Sequence, residues 1–383
     1  MNLEVKIISD INRLQVLEKD WEAILAQNGY PSIALTPQWL TSWWKSRGEN
    51  SGKELYILIC LEQNKPVAIF PFYSCKAKYR GISIKKLSFM VDAISPHGDF
   101  IIASEKRERA IHALLKYLAS QKNRWDVIIL EKFRDNPNRK FLLTTLDLYN
   151  MNYGIQPSLR TPIIRLDKSW DLFWSQRSAK FRKSIRNKLN RSRRAHFISV
   201  EKIERPQKLL EALPSIYKIS TLSWKGKISQ AITDSPVELA FYESFTPLGA
   251  PKGWINIWLL KNGCEPIAYE YHLVYNKTVY PLRADFDERY RHLSPGSILD
   301  YNIIKGIFEK REYQTYYSCA ADYQYLRNWT NNFERLYRVD IFNTRTLSNF
   351  LFTTEYKIIP RLRKVRFLRK IKDYLIRKCT RGI

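Results

Sequence analysis

Residues 289–304, RYRHLSPGSILDYNII, place two arginines and a histidine directly before a Ser-Pro-Gly turn and an apolar run. Ser294 suits the cap of a helix, and Pro295 suits its first turn, where an amide proton would lack a partner anyway. The amides that follow, at Gly296 and Ser297, are then free at the positive end of the helix dipole. Gly296 also lets a ligand approach the backbone closely. With Arg289, Arg291 and His292 alongside, the chemistry on offer is capture of a phosphate or diphosphate. An ordinary strand-to-helix turn uses the same residue types, so the stretch alone leaves both readings open.

Such a turn needs a sheet beneath it. From Ile298 the run through Leu299, Ile303, Ile304, Ile307 and Phe308 predicts a helix apolar enough to lie on one. Upstream, GWINIWLLKNGCEPIAYEYHLVY (253–275) reads as two strands around Asn262-Gly263, and TVYPLRADFD (278–287) as a third. Downstream, YQTYYSCAA (313–321) reads as a fourth. The first part of the chain repeats this order, with the hairpin ELYILICLEQNKPVAIFPFYSC (54–75), extended residues through SPHGDFII, the helical KRERAIHALLKYLAS and the strand WDVIILEKF (125–133). The second strands of the two hairpins open alike, KPVA and EPIA. This is a faint duplication of an α/β unit. A Pro-containing stretch at 158–166 marks the junction, so residues 1–160 and 161–345 are expected as two domains and 346–383 as a basic tail.

The 383 residues carry a net charge of +27, which predicts an anionic partner: nucleic acid, an acidic membrane surface or phosphorylated ligands. Residues 176–194 contain no acid, and Phe181, Ile185 and Leu189 give them a thin apolar helical stripe. Either a solvated helix or contact with an anion accounts for that pattern. The tail is similar, with Val365, Phe367, Leu368, Ile371, Leu375 and Ile376 amid its charge; it suits an anionic leaflet or packing back on the protein. Five cysteines and five histidines are dispersed without metal-ligand or Cys-His spacing, so no metal is expected and a reduced compartment is. No leader pattern opens the chain, and no run nears the roughly 18 apolar residues of a membrane span. The expected location is the cytoplasm, with the tail compatible with work at the inner membrane face.

A three-strand meander, a phosphate-binding turn opening a helix and a further strand resemble the acyl-CoA-binding core of the GNAT acetyltransferase superfamily. Its diphosphate loop is patterned Arg/Gln-x-x-Gly-x-Gly/Ala, and Arg291 to Gly296 match it with Ser294 in place of the first glycine. PSIALTPQWLTSWW, KPVAIFPF, SAKFRKSIRNKLNR, SWKGK, EPIAYEY, ADFDERYRHLSPGSIL and YQYLRNW, in this order, resemble the tandem-GNAT subgroup. That subgroup includes acetyltransferases of cellulose and exopolysaccharide synthesis and is related to Fem peptidyltransferases. The resemblance implies an α/β (α+β) fold of two tandem GNAT-like domains, each with a mixed, mainly antiparallel sheet flanked by helices. The first copy is expected to be degenerate and the second catalytic.

The implied reaction passes an acyl group from acetyl-CoA or a longer acyl-CoA to an amine of an envelope, exopolysaccharide or other small or peptidic acceptor. No metal and no specific nucleic acid are expected to take part. CoA would sit on Arg289, Arg291, His292, Ser294, Gly296 and Ser297, between the splayed strands 278–287 and 313–321. Asp285 and Asp287 are candidates for general base or for binding the acceptor's ammonium; capping, or pairing with Arg283 and Arg289, explains them equally well. Glu270 and His272 share a strand face and compete for the base role, although a solvated polar face would also explain them. Tyr325 is the candidate acid for the thiolate. Asp322 and Arg327 could fix the acceptor, Arg327 standing where the family's last motif has lysine. Trp224 and Lys225 match the family's Trp-Lys-Gly and are candidates for a cleft between the halves, with Trp224 reading as core at least as well. Two alternatives remain: a Fem-type transfer from aminoacyl-tRNA, and a non-enzymatic basic module for nucleic acid or membrane.

Overall fold

The computed structural model describes residues 3–194 and 197–364. Its strands are β1 (Glu4–Ile8), β2 (Lys53–Glu62), β3 (Lys65–Tyr79), β4 (Ile82–Phe89), β5 (Ile101–Ile102), β6 (Val127–Arg134), β7 (Tyr153–Arg165), β8 (Ile198–Ile203), β9 (Ile255–Asn262), β10 (Glu265–Tyr275), β11 (Thr278–Phe286), β12 (Thr315–Tyr317) and β13 (Asn332–Phe342). They form one mixed, mainly antiparallel sheet in the order β1-β2-β3-β4-β6-β13-β7-β12-β11-β10-β9-β8, with β5 on β3.

The duplication is visible in register. Leu58 faces Phe70 across β2 and β3 as Trp258 faces Glu270 across β9 and β10, and Tyr56 faces Phe72 as Asn256 faces His272. Gln63 and Asn64 turn the first hairpin with φ of 49° and 63°, the two left-handed residues of a tight hairpin. The second hairpin turns at Gly263 and Cys264, one residue later than expected, because Asn262 still pairs with Glu265. Gly263 supplies the left-handed residue there, at φ 61°. Near the junction β7 pairs with β12, and β13 lies between β6 and β7. A single sheet therefore runs through both halves, and residue 160 falls inside β7.

Helices cover both faces. The helices Pro37–Arg47 and Pro236–Gly249, one from each half, meet on one face, with Trp39 against Phe241 at 4.8 Å and Phe245 at 5.5 Å. On the other face each half has its own helix, Arg107–Ser120 and Pro295–Lys310. The second buries Ile298, Leu299, Ile303, Ile304, Ile307 and Phe308 as expected. Each such side chain contributes roughly 1.5–3 kcal/mol, so the head of this helix rests on a rigid support. Ser294 precedes it, yet at φ 59° its side chain makes no capping bond, contrary to the expectation. A capping side chain works from the extended backbone of an ordinary N-cap residue, which the left-handed Ser294 does not adopt.

The basic segment is a helix, Ala179–Arg194, started by Ser178, whose hydroxyl accepts from the Phe181 amide at 3.2 Å. Of its stripe, Phe181 and Leu189 pack partly buried against the second half's core, and Ile185 is buried. The apolar positions expected between Val365 and Ile376 lie outside the described residues. Among the described residues no helix is long and apolar enough to cross a membrane, and no cluster of His, Cys, Asp and Glu could hold a metal ion.

Candidate active site

β11 and β12 pair in parallel at two positions, Thr278 with Thr315 and Val279 with Tyr316, and then part. The strand expected over 313–321 ends at Tyr317, and Ser318, Cys319 and Ala320 leave the sheet to line the far wall of the gap. Pro281, Leu282, Ala284 and Phe286 line the near wall. The result is a cleft of about 640 Å³ whose lining runs from Trp224 to Leu326, all in the second half. A β-bulge sits at its edge. Arg283 faces Tyr271 while Pro281 faces His272, so Leu282 has no partner across β10.

At the base of the cleft lie Glu270, from β10, and Asp300, from the helix Pro295–Lys310. The two carboxyls hydrogen-bond each other, which requires a shared proton. Burial pushes Glu270 up to about 7, with the Asp300 bond opposing. Burial and then the neighbouring Glu270 push Asp300 well above the carboxylate range. His272, on the same strand face, brings Nε2 to 2.6 Å from Glu270 Oε2. That face is buried against the helix and is not the solvated one that would have explained these residues away.

The turn lies just beyond. Phe286 lines the cleft, and a Cβ on Gly296 would sit 3.6 Å from its ring, an ordinary contact. The basic helix flanks the turn: Lys188 Nζ donates to Ser297 Oγ at 2.8 Å, and Arg191 Nη1 donates to the His292 carbonyl at 2.7 Å. Arg291 and His292 are exposed beside them.

The sequence model of the acetyltransferase (GNAT) domain matches residues 179–327, the stretch that contains the basic helix, the parted strands, the turn and the cleft. Residues 179–327 form a GNAT domain. No curated protein matches the chain. Among solved structures, FemX superposes with a TM-score of 0.58 at 11% identity, over 91% of this chain and 100% of that one. A conserved protein of unknown function from Bacteroides thetaiotaomicron gives 0.54 at 11%, over 89% and 100%. L-PGS from Bacillus licheniformis gives 0.51 at 14%, over 88% and 95%. At such identities the likeness concerns the fold, and it extends over both halves.

Within the GNAT domain the expected residues separate into three groups. Glu270, Tyr325, Trp224 and Lys225 line the cleft. Trp224 is 49% exposed, so it belongs to the cleft wall and not to the core. Tyr325 stacks on Tyr323 with ring centres 6.1 Å apart, and burial, then Asp300 and Glu270, push its phenol up and keep it protonated.

Asp285 and Asp287 do not line the cleft. Asp285 binds Lys225 Nζ at 2.6 Å, Arg283 Nε at 2.8 Å and the Tyr269 hydroxyl at 2.8 Å. It is the hub of a buried ion-pair network. Asp287 follows the end of β11 and caps the short turn after it, accepting from the Arg289 amide at 2.9 Å and from the Arg289 guanidinium. Burial would raise its pKa, but those bonds prevail and hold it below the usual range. Arg289 is thereby bound to Asp287 and Glu265, beside the turn. Asp322 and Arg327 form a two-bond pair at 2.8 and 2.9 Å near the cleft mouth, with Arg160 3.6 Å away.

Asp300, Lys188, Arg191 and Tyr316 are the site residues that sequence reading missed. Asp300 stood inside the quoted turn-and-helix stretch, one helical turn after Gly296, and that spacing was its only signal.

Proposed function

We propose that the protein is an acyl-CoA-dependent N-acyltransferase, with 161–345 as its catalytic unit and 1–160 as a supporting half. The observation that carries this reading is the parting of β11 and β12 around a cleft with a proton-sharing carboxyl pair at its base. The amides at Gly296 and Ser297, backed by Lys188, Arg191, Arg291 and His292, hold the diphosphate. The bulge at Leu282 frees backbone polarity at the edge of the gap, where it can stabilise a thioester oxyanion. The Glu270–Asp300 pair takes the proton of the acceptor's ammonium, with Glu270 in the base role also weighed for Asp285 and Asp287. Tyr325, protonated at neutral pH, returns a proton to the departing thiolate. Trp224 and Lys225 face the acceptor side. General acid–base catalysis of this kind contributes about 10²–10⁴-fold. The acceptor class follows from the resemblance alone: an amine of an envelope or exopolysaccharide precursor.

The test is calorimetry of the full chain with acetyl-CoA and a longer acyl-CoA. Saturable binding that a bulky Gly296→Arg removes is expected. No affinity for any CoA ester would overturn the proposal. One observation favours a second reading, transfer of an aminoacyl group from charged tRNA: Lys180, Lys183, Arg186, Arg193 and Arg194 are exposed along the basic helix, beyond what a diphosphate needs. Thermal shift by a charged tRNA, with none by acetyl-CoA, is the outcome that reading requires.

A further inference from the structure

A second groove lies beside the mouth of the cleft. Its volume is about 700 Å³, and its wall holds Arg160 and Arg165 from β7, Arg335 from β13, Asn331, Asn332 and one acid, Asp167. Arg160 Nη1 lies 3.6 Å from Asp322 Oδ2, and Ala320 and Tyr323, to either side of Asp322 in sequence, line the cleft. One loop thus borders both spaces.

The fold gains nothing from these arginines. Arg160 and Arg335 are direct partners across β7 and β13, and like charges in that position destabilise a sheet. Other arginines of the sheet have a carboxylate of their own: Glu334 for Arg134, Asp285 for Arg283 and Asp340 for Arg338. Arg165 and Arg335 are exposed and make no ion pair among the described residues. Arg160 has only Asp322, whose two oxygens Arg327 already engages at 2.8 and 2.9 Å. Its guanidinium carbon sits 3.6 Å from the centre of the Phe333 ring, a contact that holds the fork in place. A cationic groove left unpaired against the interest of the sheet calls for a ligand. Guanidinium forks match phosphate oxygens two at a time, and three of them against a single acid suit a phosphate better than one carboxylate. The side-chain amides of Asn331 and Asn332 are further donors.

We propose that this groove binds a phosphate or diphosphate carried by the acceptor, whose amine enters the cleft through the shared mouth. The inference rests on the acyl-transfer reading and narrows its acceptor to a phosphorylated amine. On that reading CoA takes the turn at Gly296, which leaves the groove to the second substrate.

The test uses the full chain and two kinds of ligand. Inorganic diphosphate is titrated by calorimetry with CoA in excess, so that the turn is occupied and the groove is not. Turnover of acetyl-CoA is then compared between aminoalkyl phosphates of increasing length and the amino alcohols that lack the phosphate. Diphosphate should bind under CoA, and Arg165→Met and Arg335→Met should each weaken it about tenfold. Arg335→Lys, which keeps the charge without the fork, should recover part of the loss. Arg335 is exposed, so its variants should fold, and Arg335→Met should melt no lower than wild type because a like-charge pair is gone. At one chain length the phosphate should raise kcat/KM about tenfold or more over the amino alcohol. Arg335→Met should remove that preference through the KM for the amine while the KM for acetyl-CoA holds. No diphosphate bound under CoA, or amino alcohols as good as the phosphates at every length, would overturn the groove alone. So would a charged tRNA that binds less well to Arg335→Met while the small phosphates respond as in wild type, since the groove would then serve RNA. A chain that neither binds nor turns over any CoA ester would remove the acyl-transfer reading and with it the acceptor, whereas diphosphate binding lost in Arg335→Met would still mark the groove.

Discussion

The two halves build the same parallel strand junction and finish it in opposite ways. In the first, β4 and β6 pair at three positions, after which the chain returns and Gly98 bridges Phe133 where the strands would otherwise part. Phe70, Phe72 and Phe89 stack behind this plug with Phe100 edge-on to them, and Lys132 Nζ ties it down through the carbonyls of Asp92, Ala93 and Ser95. In the second half the gap stays open, and the Glu270 carboxyl and the His272 imidazole stand where Phe70 and Phe72 do in the first. The fold tolerates either filling. A site in this architecture therefore depends on what is left out of the junction as much as on what lines it.

The comparison breaks most sharply if the first half's solution is written into the second. Glu270→Phe with His272→Phe should fold, because the sister strand accommodates the same pair. Acyl transfer should fall at least about 100-fold, while a calorimetric titration still finds acyl-CoA bound at the turn. Activity within a few-fold of wild type would show that the carboxyl pair is not the base.

Next in size is the converse substitution. A Cβ on Gly98 would lie 2.6 Å from the Phe89 ring and 2.9 Å from the Glu131 carbonyl. Gly98→Val should therefore lower stability by about 1–3 kcal/mol or more, read as a drop in denaturant midpoint, whereas Gly296→Ala, with 3.6 Å of clearance, should leave it unchanged. Equal effects at the two glycines would mean the plug is not packed as described.

These contrasts also mark what the sequence made legible. The hairpins, the apolar helix and the turn were readable because each is local: alternation, spacing and a Ser-Pro-Gly suffice. The fate of Asp285 was not, because Arg283 two residues away signals a partner as strongly as a cleft does, and only the arrival of Lys225 from a distant loop decides between them. Asp300 was hidden by its surroundings, an acid in a run that reads as core, whose meaning depends on β10 passing opposite. The plug at Gly98 and the insertion of β13 between β6 and β7 are pairings across long sequence separations, which periodicity cannot register.

A smaller effect concerns pH. Glu270 titrates near 7 in the fold and near 4.5 when exposed, so the folded state favours its protonated form. The stability this group contributes is present in full below the unfolded value and is lost as pH rises towards 7. Glu270→Gln, which keeps the shape and removes the titration, should raise the melting temperature by a few degrees at pH 8 and by much less at pH 5. Phe70→Leu in the first half serves as the control and should show no such pH dependence. An equal shift for Glu270→Gln at both pH values would mean that burial does not hold the proton.

The smallest expected effect sharpens the comparison at the turn itself. Lys188 reaches Ser297 from the basic helix, and burial lowers its pKa while Asp300 opposes. It therefore touches the head of the helix Pro295–Lys310, beside the turn proposed above to hold the diphosphate. Lys188→Met should weaken binding of a CoA ester several-fold at low salt, and the deficit should shrink as salt screens the remaining cations. Arg194→Met, on the exposed end of the same helix, should leave CoA affinity within twofold, since it touches no part of the turn. If both substitutions cost the same, binding follows the helix's overall charge and not the particular side chain beside Ser297, and the basic helix would then serve a longer polyanion than a diphosphate.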